Sequence, residues 1–233
     1  MARGEWQQNH QGIAFNSKGQ LVDGQHRLSA IIQSGISVYM LVTRGLGMEA
    51  FPTLDMGAKR TMADATGIRK ACAETATYLF RILCPGAVIS AATTTFIYET
   101  FRPSIDLLID RCGTTRRTIT SAPVKAAAVC QMIFMPDKAE FVLDTYTKLV
   151  HRDFDKFTQT QTSFYKQVVD KNIIPRGQIQ VDIFARAMVV FDANKAHLSK
   201  IQIDDPLKTV SDARELLMIL LPQPNPFFEV THP

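Results

Sequence analysis

From about residue 61 onward, apolar residues return at helical spacing in run after run, and Ser, Asp and Pro punctuate the runs. A chain patterned this way buries its apolar side chains by packing helix on helix. "TMADATGI" opens with Thr61 and Asp64, a capping-box-like pair with Asp in place of the usual Glu. "KACAETATYLFRIL" follows as a long helical run that Pro85 ends. "SAATTTFIYETF" is rich in β-branched Thr, so helix competes with strand there, and Pro103 is expected to limit it. "SAPVKAAAVCQMIFM" begins with a Ser cap and an early Pro. "DKAEFVLDTYTKLV" places Asp137 as a cap and Phe141, Val142, Tyr146, Leu149 and Val150 along one face. "QVDIFARAMVVF" and "VSDARELLMILL" predict two further amphipathic helices, and the Pro-rich "PQPNPFFEVTHP" an extended or disordered tail.

The first 46 residues have a different texture. "GIAFN" is short and rich in β-formers, "SKGQ" has turn chemistry, and "LV" pairs back as the second arm of a hairpin. "QHRLSAIIQSG" then predicts a helix starting near Gln25, with Leu28, Ile31 and Ile32 on one face and Gly35 as its stop. "SVYMLVT", residues 37–43, reads as a strand lying beside the one at 21–22. Trp6 is expected to plug this small core. The fold class is therefore α+β: a small N-terminal α/β module over 1–65, a helical domain over 66–221 and a tail over 222–233.

Composition excludes several classes. Formal net charge is +4, with six basic and five acidic side chains in residues 1–65, so charge alone does not imply nucleic acid. The densest apolar segment, "AAAVCQMIFM", is too short to cross a bilayer, and "MARGEW" lacks the apolar stretch of a signal peptide. The sequence thus predicts a cytoplasmic protein with no membrane partner. Cys72, Cys84, Cys112 and Cys130 form no Cys-x-x-Cys and no Cys-His motif, which argues against zinc and for small hydrophobes in a reducing compartment. His10, His151, His197 and His232 have no partners at ligand spacing. "RCGTTRRT" carries Arg111, Arg116 and Arg117, a local basic run best explained as a solvated interhelical loop.

The densest group of functional side chains is "DGQHR", Asp23 to Arg27, on the turn between a strand and a helix. A helix starting at Gln25 exposes unpaired backbone N–H groups and its positive end. Gly24 permits close approach or positive φ, and Arg27, expected to face solvent, has a fork suited to phosphate oxygens. His26 shuttles protons near neutral pH, and Asp23 suits a divalent cation or the part of a base. "LDMGAKRTMAD" is a second group, with Asp55, Lys59, Arg60 and Thr61 on a Gly-containing loop that opens a helix.

"GEW…GIAF…GQLVDGQHRLSAI…LVTRGL…LDMGAKRT", covering about residues 3–66, resembles the ParB/sulfiredoxin-like superfamily, and more narrowly the ParB-like proteins of phages and mobile elements. The resemblance implies a nucleotide-binding module acting in a DNA-linked process, with NTP hydrolysis or phosphoryl transfer as its chemistry. It assigns Gly24, Gln25, His26 and Arg27 to the phosphate-contacting turn, with Lys59, Arg60 and Thr61 as partners around the same site. Asp23 and His26 would be catalytic, Asp23 would hold Mg²⁺, and the cofactor would be ATP or CTP. Gln25 stands where sulfiredoxins carry their nucleophilic Cys, which excludes that chemistry, and the Glu of the ParB version is absent. Relatives carry a further strand and helix before "GEW", so the module is expected to lack them here. The implied partners are a nucleotide, DNA and a second copy of the chain. The alternative is a non-enzymatic DNA-binding or regulatory protein on the same fold. A nuclease is a third, for which no compact group of acidic metal ligands is present.

Overall fold

The computed structural model describes residues 6, 12–47, 61–112, 116, 118–171 and 173–222. The chain divides into two compact units, residues 1–61 and 62–233.

In the first unit β1 (Ile13–Asn16) and β2 (Leu21–Asp23) form the expected hairpin, then α1 (Gln25–Ser34) leads to β3 (Val42–Leu46). Asn16 builds the hairpin turn: it is 5% exposed, and its Oδ1 accepts from the N–H groups of Lys18 and Gln20, each at 2.9 Å. An Asn carbonyl that mimics a backbone acceptor is what makes this residue suit turns. The helix starts at Gln25 and stops at Gly35, whose φ of 63° is left-handed and whose N–H reaches the Ile31 carbonyl.

Sheet order is β2-β1-β3, with β1 antiparallel to β2 and parallel to β3. Two expectations are corrected here. The third strand covers 42–46 instead of 37–43, because its ladder to β1 begins at the Ile13–Val42 pair. It also lies across β1 from β2 and not beside it. Gly12 sits where the two chains first meet: a Cβ there would fall 2.0 Å from the Leu41 carbonyl oxygen, so only glycine permits the approach. Leu28 and Ile31 are half-buried, but Ile32 is 79% exposed, so the apolar face of α1 is narrower than its spacing predicts. Trp6 is half-buried and donates from Nε1 to the Tyr39 carbonyl at 3.2 Å.

Every element described in the second unit is helical. They are α2 (Met62–Thr66), α3 (Lys70–Leu83), α4 (Ala91–Arg111), α5 (Ala122–Phe134), α6 (Ala139–His151), α7 (Gln159–Phe164), α8 (Gln178–Val190) and α9 (Pro206–Ile219). A π-helical turn, Tyr165–Val169, continues α7. The centre is α5, where Ala126, Ala127, Ala128, Val129 and Cys130 are wholly buried. Small side chains let the neighbouring backbones approach closely, and α5 packs chiefly on α8 and α3. Among the described residues no helix is long and apolar enough to cross a membrane.

Pro103 does not limit its helix. α4 runs through it, and the lost hydrogen bond and ring clash are absorbed as a kink at Phe101, whose φ of −109° and ψ of 15° leave the helical region. Asp137 is not a cap either: Pro136–Lys138 form a 3₁₀ turn, Asp137 pairs with Lys138 at 3.3 Å, and α6 starts only at Ala139. Ser121 occupies the cap position of α5, yet its hydroxyl donates backwards to the Thr118 carbonyl at 2.6 Å.

A polar network ties α3 to α4. Asp106 accepts from Tyr98 (3.0 and 3.1 Å), Arg69 (2.9 Å) and Arg102 (3.3 Å), and the Cys72 thiol lies 3.6 Å away. Burial pushes the Asp106 carboxyl up, but the hydrogen bonds from Tyr98, Arg69, Cys72 and Arg102 outweigh it and hold it below its ordinary value. A carboxylate depressed in the folded state stabilises fully above its unfolded pKa of about 3.9, and that contribution fades as pH falls through the folded value. Asp106→Asn is therefore expected to lower stability at pH 7 and to lose less than the wild type on acidification. Urea unfolding of both proteins at pH 7 and pH 3 checks this; an equal gap at the two pH values would contradict it.

Candidate functional site

The turn from β2 into α1 is built around Gly24. Its φ of 93° and ψ of 16° are left-handed, and a Cβ on it would lie 2.4 Å from Ile13 Cγ2 on the neighbouring strand. Sterics and dihedral thus both demand glycine here, and the demand comes from packing within the module. Asp23 ends β2, half-buried, and its Oδ1 accepts from the Gly24 N–H at 2.7 Å.

Among the described residues no side chain caps α1, and no acidic residue stands in its first turn. Gln25 and His26 are exposed there. The first-turn amides have no intrahelical acceptor by geometry, so this end of a 10-residue helix presents donors and partial positive charge to whatever approaches.

Arg27 departs from expectation. It is half-buried, its side chain 24% exposed, and it turns inward instead of facing solvent. Its Nη1 donates to the Gly12 carbonyl and lies 3.8 Å from Asp23 Oδ2, one helical turn away. It therefore ties α1 to the start of β1 and neutralises Asp23.

Asp23 alone makes a poor cation site. One of its oxygens is held by Gly24, the other faces a guanidinium, and no group of three His, Cys, Asp or Glu side chains comes together among the described residues. Mg²⁺ has octahedral demands that one such carboxylate does not meet.

Of the second group, Asp55, Lys59 and Arg60 lie outside the described residues. Thr61 is exposed and immediately precedes α2. The geometric ground for a site shared by Arg27 with Lys59 and Arg60, a 37–43 strand lying next to β2, is removed by the sheet order, which leaves the resemblance as its ground.

The basic run is largely engaged in the second unit. Arg111 pairs with Glu140, Arg116 Nε donates to the Val150 carbonyl at 3.3 Å, and Arg117 lies outside the described residues. His10 and His232 also lie outside them. His151 has a partner that chain spacing conceals: its Nε2 is 3.5 Å from Cys112 Sγ, 39 residues earlier. The second unit also holds a cleft of about 450 Å³ around Arg186, with Gln167, Lys171, Asp182, Lys200 and Asp204. Arg186 is satisfied there by Asp182 (2.9 Å), Gln167 (2.6 Å) and the Ile201 carbonyl (3.2 Å), which marks it as a structural tie. Comparison with known proteins finds no matching family model, no matching curated protein and no matching solved structure.

Proposed function

We propose that this chain is a nucleotide-binding, ParB-like protein acting in a DNA-linked process of a phage or mobile element. The observation that carries the reading is the uncapped start of α1 directly after a left-handed glycine, with Gln25 and His26 exposed. Backbone amides at a helix start, reached over a glycine, suit phosphate oxygens, and the one carboxylate beside this start, Asp23, faces the Arg27 guanidinium. Gly24 sets the turn, and Gln25 and His26 contact phosphate. Arg27 positions Asp23 and the start of β1 while lending its charge to the site. Lys59, Arg60 and Thr61 are assigned a supporting part on the basis of the sequence resemblance alone. Hydrolysis or phosphoryl transfer with ATP or CTP is the catalytic form of this reading, with Asp23 as base.

The second reading, a DNA-binding or regulatory protein that keeps the fold without the chemistry, is favoured by one observation. Asp23 and Arg27 engage each other, and Arg27 also donates to the Gly12 carbonyl, as structural residues do.

A thermal-shift screen with ATP, CTP and GTP, each with and without Mg²⁺, separates the two, because a ligand that binds only the native state raises its apparent stability. Stabilisation by one nucleotide is expected. His26→Ala should then weaken that binding by roughly tenfold, the loss of one hydrogen bond to a charged group, with the melting temperature of the free protein unchanged because His26 is exposed. A flat screen beside salt-sensitive DNA retention would favour the second reading. Arg27→Ala is the poorer probe, since it would mix binding with stability.

A further inference from the structure

The four cysteines of this chain are all free, and their surroundings differ. Cys72 and Cys130 have no exposed surface, and burial pushes both thiols up. Cys84 is half-buried at the end of α3, and burial pushes it up as well. Thiols held in this way stay protonated and react slowly, because the thiolate is the nucleophile. Cys112 is placed otherwise. It caps the C-terminal end of α4 and is buried, with 8% of its surface exposed and so less open than Cys84, but its Sγ stands 3.5 Å from Nε2 of the exposed His151, the last residue of α6.

That contact puts a base within reach of the thiol proton, the arrangement that activates cysteine elsewhere in protein chemistry. Two further cations stand nearby in the chain. Arg152 follows His151 directly, and Arg116 donates to the carbonyl of Val150, the residue before it. Both line a pocket of about 260 Å³ with Thr118, Tyr165 and Asp170. Arg111, beside Cys112, is engaged by Glu140.

We propose that Cys112 and His151 form a thiol–imidazole pair that makes Cys112 the reactive cysteine of this chain, a modification site for small soft electrophiles. In the step with iodoacetamide, the Cys112 sulfur attacks the methylene carbon, the S–C bond forms and the C–I bond breaks. Iodide leaves, and the thiol proton passes to His151 Nε2 and from there to water.

The test uses the full-length folded protein with limiting iodoacetamide and peptide mapping by mass spectrometry against time. Cys112 is expected to react at least about tenfold faster than Cys72, Cys84 or Cys130, and His151→Gln to slow Cys112 by about tenfold or more while leaving Cys84 unchanged. Circular dichroism verifies that the variant is folded. Should it not fold, the order of reactivity in the wild type decides alone. Faster labelling of Cys84, or a Cys112 rate indifferent to His151→Gln in a folded variant, would overturn the proposal.

Discussion

Gly24→Ala is expected to destabilise the N-terminal unit by roughly 2–5 kcal/mol, combining the cost of a left-handed alanine with that of overpacking. The two terms have separate origins. The φ of 93° penalises any L side chain, and the added methyl falls 2.4 Å from Ile13 Cγ2, well inside van der Waals contact. The neighbour is a β-branched side chain on a strand paired on both sides, so it has little room to retreat. Ile13→Ala removes the 2.4 Å contact and leaves the Ile13 Cβ and Cα positions at 3.0 and 3.1 Å. The pair Gly24→Ala with Ile13→Ala should therefore be less damaging than the sum of the single changes, because the residues touch. Chemical unfolding of the four proteins measures this, and simple additivity would mean that the dihedral and the remaining contacts to Cβ and Cα set the cost, not the Cγ2 clash.

Phe184→Ala should cost about 3–5 kcal/mol, the range for removing a buried aromatic ring. Phe184 on α8 has no exposed surface, and its ring centroid lies 5.9 Å from that of Tyr78 on α3. The Tyr78 hydroxyl donates to the Gln180 carbonyl at 3.0 Å, so the same ring pair pins α3 to α8. Truncation leaves a cavity between two helices that α5 also contacts, and relaxation is limited because all three share one core. Urea unfolding monitored by circular dichroism checks the value. A loss below about 1.5 kcal/mol, the ceiling for well-tolerated core swaps, would show that the site collapses easily.

What was legible in the sequence is what local chemistry decides. The hairpin, the start of α1 at Gln25 and its stop at Gly35 all follow from residues within a turn of one another. Thr158 and Gln161 are equally legible: they form a reciprocal capping box that opens α7, and a Thr three residues before a Gln is its signature. The rest depends on distant partners. β3 starts at Val42 because β1 starts at Ile13, which no property of "SVYMLVT" reveals. Arg27 turns inward because the Gly12 carbonyl waits 15 residues away, and Cys112 meets His151 only once α4 and α6 have packed. Site chemistry was therefore readable as residue types on a turn, and their mutual commitments were not.

The burial of α5 also bears on the order in which the helical unit assembles. A helix covered on every side gains little until its covers are present, and the α8 cover is encoded far downstream. Gln131 on α5 donates to the Met188 carbonyl at 2.7 Å, a bond that closes a loop of 57 residues. Loop closure must precede any reward from such contacts, which raises the barrier to folding. On a growing chain, Ala126 to Cys130 emerge well before α8 exists to cover them. The alanines that permit tight packing in the native state also make that stretch a weak hydrophobic lure while it waits, since each leaves little apolar surface to be captured by the wrong neighbour.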